Sequence, residues 1–66
     1  MCELNAFLRR ADGSEELVLE AVEFLRPQQD GVLLRNIFGQ ESLFKGRLLE
    51  VQFRKGKVLL GPLEAD

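Results

Sequence analysis

Cys2 is the one soft, nucleophilic side chain in the sequence, and it stands directly after Met1. Initiator methionine is commonly trimmed when a small residue follows, and cysteine is small enough. After trimming, the cysteine carries a free α-amine two carbons from its thiol, and the amine nitrogen and thiolate sulfur can close a five-membered chelate ring. With Met1 retained, the Met1 amine, the Cys2 amide nitrogen and the Cys2 sulfur form a comparable set. Nitrogen and thiolate donors in a plane suit nickel(II) or copper(II). One such terminus supplies too few donors to complete a site, whereas two termini from a symmetric dimer supply enough. Glu3 adds a carboxylate or its amide beside them. Against this stands the ordinary behaviour of free cysteine as a small, buried hydrophobe. Cys2 falls on the same alternating face as Leu4 and Leu8, where it can simply pack at the edge of a core.

The remaining candidates are weaker in type or spacing. Glu15, Glu16, Glu20 and Glu23 could ligate a hard cation, but their spacing matches no calcium loop, and a solvated strand face accounts for them. Arg54, Lys55 and Lys57 could touch phosphate, and equally could be the solvated tip of a hairpin. Phe7, Phe24, Phe38, Phe44 and Phe53 could stack on bases in a single-strand-binding barrel. Core packing is the simpler assignment for them, since the chain has no tryptophan or tyrosine to fill an interior. Histidine is absent, which removes the commonest acid–base group and metal ligand. Ser14 and Ser42 have no histidine to activate them, and the six glycines are scattered singly, so no phosphate-cradling loop is present. The expectation is a protein that is not an enzyme.

The elements that must position these residues are short and punctuated by glycine. Asp12-Gly13 and Asp30-Gly31 are strong turn signals between runs rich in Val, Leu, Ile and Phe. Residues 1–9 alternate as a strand, with Cys2, Leu4, Ala6 and Leu8 on one face and Phe7 the exception. Residues 10–14 read as a hairpin loop. Residues 14–26 carry two patterns: Leu17 and Leu19 alternate, yet Ser14-Glu15-Glu16-Leu17 also resembles a helix start, with Leu17, Ala21, Phe24 and Leu25 on a stripe. Two short strands with an irregular join near Glu20-Ala21 are expected there, and Pro27 ends the segment. Residues 32–38, apolar on both sides, form a central strand. Residues 42–53 are long for one strand, and Gly46 in their interior marks a bulge or sharp bend of the kind a small barrel needs. Leu49, Val51 and Phe53 alternate with Glu50 and Gln52. A turn at residues 54–57 leads to the last strand, residues 58–60, and the tail of residues 63–66 is expected to fray.

The fold expected is all-β: a small antiparallel meander of about five to six strands, curled into a half-open barrel, with residues 1–66 as a single domain. Sixty-six residues bury only about 60% of the surface their unfolded chain exposes, so the core is thin and a deep substrate cavity is not expected. Nine basic against eleven acidic residues give a net charge of −2, which argues against nucleic acid as a partner, because that footprint requires a basic surplus. No apolar run approaches a membrane span of about 18 residues, and no secretory signal is expected, since the N-terminus lacks a basic region followed by an apolar stretch. A single cysteine cannot form an intramolecular disulfide, and together these features point to the cytoplasm. Leu33, Leu48, Leu59 and Leu63 fall off the main core face, which calls for a partner surface and supports a homodimer.

Several segments together resemble the CooT family: Met1-Cys2-Glu3-Leu4, Asp12-Gly13, Glu20-Ala21-Val22-Glu23-Phe24-Leu25, Gly31-Val32-Leu33-Leu34, Asn36-Ile37-Phe38-Gly39-Gln40, Lys45-Gly46-Arg47-Leu48-Leu49-Glu50-Val51 and Val58-Leu59-Leu60. Most of these positions are turns and core; the functional part of the likeness rests on Cys2. The resemblance implies a small nickel(II)-binding accessory protein or metallochaperone, homodimeric, linked to nickel delivery for carbon monoxide dehydrogenase maturation, with a metalloenzyme as its client. It implies that the ion is held through Cys2; the donor chemistry above adds Met1 and Glu3 to that site. The family has also carried the label of RNA-binding protein. The alternative is therefore a small β-barrel module that binds RNA through Arg54, Lys55 and Lys57, or binds protein, without a metal. Many relatives have a basic or histidine residue near the last turn; here Arg54-Lys55-Gly56-Lys57 stands in that place.

Overall fold

The computed structural model describes residues 3–63. Six strands occur among them: β1 (Leu4–Arg9), β2 (Glu15–Pro27), β3 (Val32–Asn36), β4 (Glu41–Phe44), β5 (Arg47–Gln52) and β6 (Lys57–Gly61). They form one sheet in the order β4-β3-β2-β1-β6-β5. The ambiguous segment is strand throughout: β2 is continuous over 13 residues rather than helical or divided. Its helical stripe loses to the ladders it makes on both sides, with β1 along its first half and β3 along its second.

The irregularity foreseen at Glu20-Ala21 is present inside that strand. The step from Leu4 to Ala6 in β1 is matched by the longer step from Val22 to Leu19 in β2. Ala21 takes up the extra length with φ at +54°. A left-handed alanine costs roughly 1–2 kcal/mol, and the bonds around it hold it there. Its N–H donates to Asn5 Oδ1 at 2.9 Å, and its carbonyl accepts the Ile37 N–H at 3.0 Å. Further register shifts fall between Ala6 and Phe7 and between Val22 and Phe24, so β2 coils strongly and turns the sheet back over itself.

Closure depends on residues 45–46. β4 and β5 occupy opposite edges of the sheet, yet only these two residues separate them in the chain. The edges must therefore curl toward each other, which produces the half-open barrel. A Cβ on Gly46 would collide with the Gly61 carbonyl oxygen and the Phe44 ring, so the bend requires glycine. The same bend explains why the sheet is mixed rather than wholly antiparallel. The chain crosses from one edge to the other without a hairpin reversal. β6 then folds back on β5 and lies parallel to β1, with Asn5 beside Lys57 and Leu8 beside Leu60.

The interior is aliphatic. Ala6, Val22, Val32, Leu34, Val58 and Leu60 form its buried centre, with Leu4, Val18, Leu19, Leu25, Phe44, Leu48 and Val51 packed around them. Of the five phenylalanines only Phe44 joins that cluster, which corrects the expectation that they fill the core. Phe7 and Phe24 lie half-buried outside it, under the cations of Lys57 and of Arg35 and Arg26. Phe38 and Phe53 are exposed. The expected alternation of Leu49, Val51 and Phe53 also fails. A register shift between Leu48 and Glu50 puts Leu48 and Val51 inward, and β5 stops at Gln52. Leu59, expected to lie off the core and face a partner, is fully buried, and Leu48 packs on the core.

Candidate functional site

Met1 and Cys2, the principal candidates, lie outside the described residues. The nearest described position is Glu3, which is exposed. It leads into a tightly fixed strand start. The Asn5 N–H donates to the Gly56 carbonyl at 2.8 Å, and Asn5 Oδ1 accepts from the Ala21 N–H on the opposite neighbour. A side chain on Gly56 would stand 3.6 Å from the Glu3 carbonyl oxygen. The start of β1 is thus anchored between the bulge of β2 and the turn of residues 53–56. Sequence reading did not single out Asn5; a polar residue on the solvent side of a strand start carries no signal of its own.

The basic residues do not act as a set. Lys57 Nζ donates to Glu15 Oε1 at 2.8 Å and sits 5.3 Å from the centre of the Phe7 ring. Arg54 and Lys55 are exposed in the turn and take part in no ion pair among the described residues. Beside them Phe53 is 70% exposed. Their reading as a solvated hairpin tip fits this placement, while Lys57 is engaged with its own barrel.

The acidic residues of β2 are partnered or solvated. Glu15 meets Lys57 and, at 3.8 Å, Arg9, which also approaches Glu50 at 3.7 Å. The hydrogen bond from Lys57 holds the Glu15 carboxyl below its ordinary value, helped by the charges of Lys57, Arg9 and Lys55 and opposed by partial desolvation. Glu16 pairs with Arg10. Glu20 and Glu23 face solvent. Asp12 is likewise held low, chiefly by hydrogen bonds from the Ser14 hydroxyl and amide in the β1–β2 loop. Among the described residues no group of three or more Cys, Asp, Glu or His converges as a metal cage.

No helix among the described residues is long and apolar enough to cross a membrane. What the fold and its surface define is a small half-open β barrel, filled by its own aliphatic side chains, with the charged groups of the described residues spread over the outside and the start of β1 pinned to one turn.

The family described as CO dehydrogenase accessory protein CooT matches residues 1–61. The fold is similar to the crystal structure of a "putative CooT" from Carboxydothermus hydrogenoformans, with 38% sequence identity and a TM-score of 0.86, covering 96% of this chain and 100% of that one. No curated protein matches the chain. The chain belongs to the CooT family, and its role is that of an accessory protein.

Proposed function

We propose that this chain is a nickel(II)-binding metallochaperone for a metalloenzyme client, holding the ion through Cys2 at a homodimer interface. The observation that carries the reading is the extent of the family match. It takes in residues 1–61 and with them Cys2, the only cysteine of the sequence. A family accessory to carbon monoxide dehydrogenase serves an enzyme whose maturation draws on nickel, and thiolate with backbone nitrogen is a donor set that nickel(II) accepts. Two copies of Cys2 supply two sulfurs, and Met1 or Cys2 nitrogens complete the plane. Glu3, the next residue in the chain, adds its backbone amide to these nitrogen donors. The proposal includes a cytoplasmic setting, where thiols stay reduced.

The test is a nickel(II) titration followed by thiolate-to-metal charge-transfer absorbance, on the wild type and on Cys2→Ser. One ion per two chains is expected for the wild type, and no stoichiometric binding for the variant, with an unchanged thermal melt. Affinity is expected to fall as pH falls, because the donors must lose protons before they ligate. Equal affinity of wild type and variant would rule the reading out.

A further inference from the structure

A site made of two Cys2 sulfurs is complete only if the surface around each chain beginning becomes an interface. We propose that the turn of residues 53–56 closes that interface: Phe53 packs on its counterpart across the twofold axis, and Glu3 of each copy pairs with Arg54 and Lys55 of the other. This rests on the dimeric Cys2 reading and names the surface that would bring the sulfurs together.

Three observations favour the turn. It is tied to the start of β1 by the Asn5 N–H to Gly56 carbonyl bond at 2.8 Å, and the Glu3 carbonyl lies beside Gly56. Whatever covers Glu3 therefore covers the turn. Phe53 is the most exposed of the large hydrophobics, and an aromatic ring in that state is a typical interface anchor. The other exposed apolar side chains sit elsewhere. Leu17 pairs with Phe7 farther along β1, Leu43 lies on β4, Leu63 follows the distal end of β6, and Ile37 and Phe38 are across β2 from Asn5.

The third observation is charge. Glu3, Arg54 and Lys55 are all exposed, and none takes part in an ion pair among the described residues. Five ion pairs elsewhere engage most of the other arginines and several of the glutamates. A twofold contact places the same patch on both sides, so a patch carrying both signs can complement itself.

Sedimentation equilibrium and nickel titration on wild type, Phe53→Ser and Arg54→Glu/Lys55→Glu test this, with a thermal melt for each. Phe53→Ser is expected to raise the dimer dissociation constant by about tenfold or more, with a parallel loss of nickel affinity and an unchanged melt. The charge-reversed variant is expected to dissociate likewise, and adding Glu3→Lys to it is expected to restore the dimer. If the wild type dimerises and takes nickel through Cys2 while Phe53→Ser dimerises equally well, the turn is not the interface, and the Cys2 reading survives. A wild type that stays monomeric with and without nickel overturns both. Retained dimerisation in Phe53→Ser with loss of single-stranded RNA binding at low salt would assign the tip to RNA and overturn the inference.

Discussion

Asn36 is the only fully buried polar side chain among the described residues, and it shows how one residue can fix a turn. Its Oδ1 accepts from the Phe38 and Gln40 amides at 3.1 and 2.9 Å, and its Nδ2 donates to Gln40 Oε1 at 2.7 Å. The backbone adds a bond from the Asn36 N–H to the Gln40 carbonyl, and Gly39 supplies the positive φ that the turn requires. The side chain thus takes the place of main-chain partners that a five-residue turn cannot supply, and no buried side-chain polar atom is left unpaired among the described residues. Asn36→Ala removes three bonds and leaves the amides to find water. A loss of about 2 kcal/mol is expected, read as a lower denaturation midpoint with an unchanged m-value. A variant as stable as the wild type would mean that the main chain holds the turn alone.

At the scale of elements the decisive feature is the bend at residues 45–46. Gly46→Ala forces a methyl group against the Gly61 carbonyl and the Phe44 ring, so the bend must open away from β6 and the ring must move. Overpacking of this kind costs about 1–3 kcal/mol, and chemical denaturation checks it; no loss would show that the edge relaxes freely. This bend was legible in the sequence, because an apolar run too long for one strand must break somewhere, and a lone glycine inside it is the residue best able to bend. So was the irregular join at Glu20-Ala21, which breaks an otherwise regular alternation. The parallel pairing of β1 with β6 was not legible. It follows from which edge the chain reaches after Gly46, and local pattern carries no information about that. The exposure of Phe53 was hidden for a different reason: it keeps the phase of the inward Val51, but β5 stops at Gln52 and the following turn carries the ring off the sheet. The extra residue in β5 lies before Val51, and it sets Leu48 inward where strict alternation back from Val51 picks Leu49. Phe7 and Phe24 were assigned to the core from composition alone, which cannot tell a ring in the interior from one half-buried beneath a cation, as these two are. For the candidate site, Cys2 was legible as donor chemistry, but its neighbours were not. The approach of the 53–56 turn to Glu3 depends on that same non-local β1–β6 pairing.

For the whole molecule, the thin core leaves stability open to influence from the surface charges. Those charges form a belt across β1, β2, β5 and β6, in which Arg9 approaches both Glu15 and Glu50 and Lys57 reaches Glu15. Glu15 joins strands far apart in sequence, and its carboxyl is held low mainly by the Lys57 hydrogen bond. A carboxylate with a lowered folded-state value loses a proton more readily in the folded chain than in the unfolded one. Its stabilisation is complete above the unfolded-state value and is lost as pH falls to and through the lowered folded-state value. Asp12, bonded by Ser14, acts in the same direction. The metal-free protein should therefore lose stability progressively as acid takes it through and below the ordinary carboxylate range. Lys57→Met removes the largest cause at Glu15, so its acid loss should be shallower, and the difference from the wild type should be greatest near neutral pH and vanish in strong acid. Both carboxylates are exposed, and salt should weaken the effect. Urea denaturation of the two proteins across a pH series measures it directly. Parallel stability profiles, offset by a constant at every pH, would show that Lys57 acts through its packing over Phe7 and not through its charge.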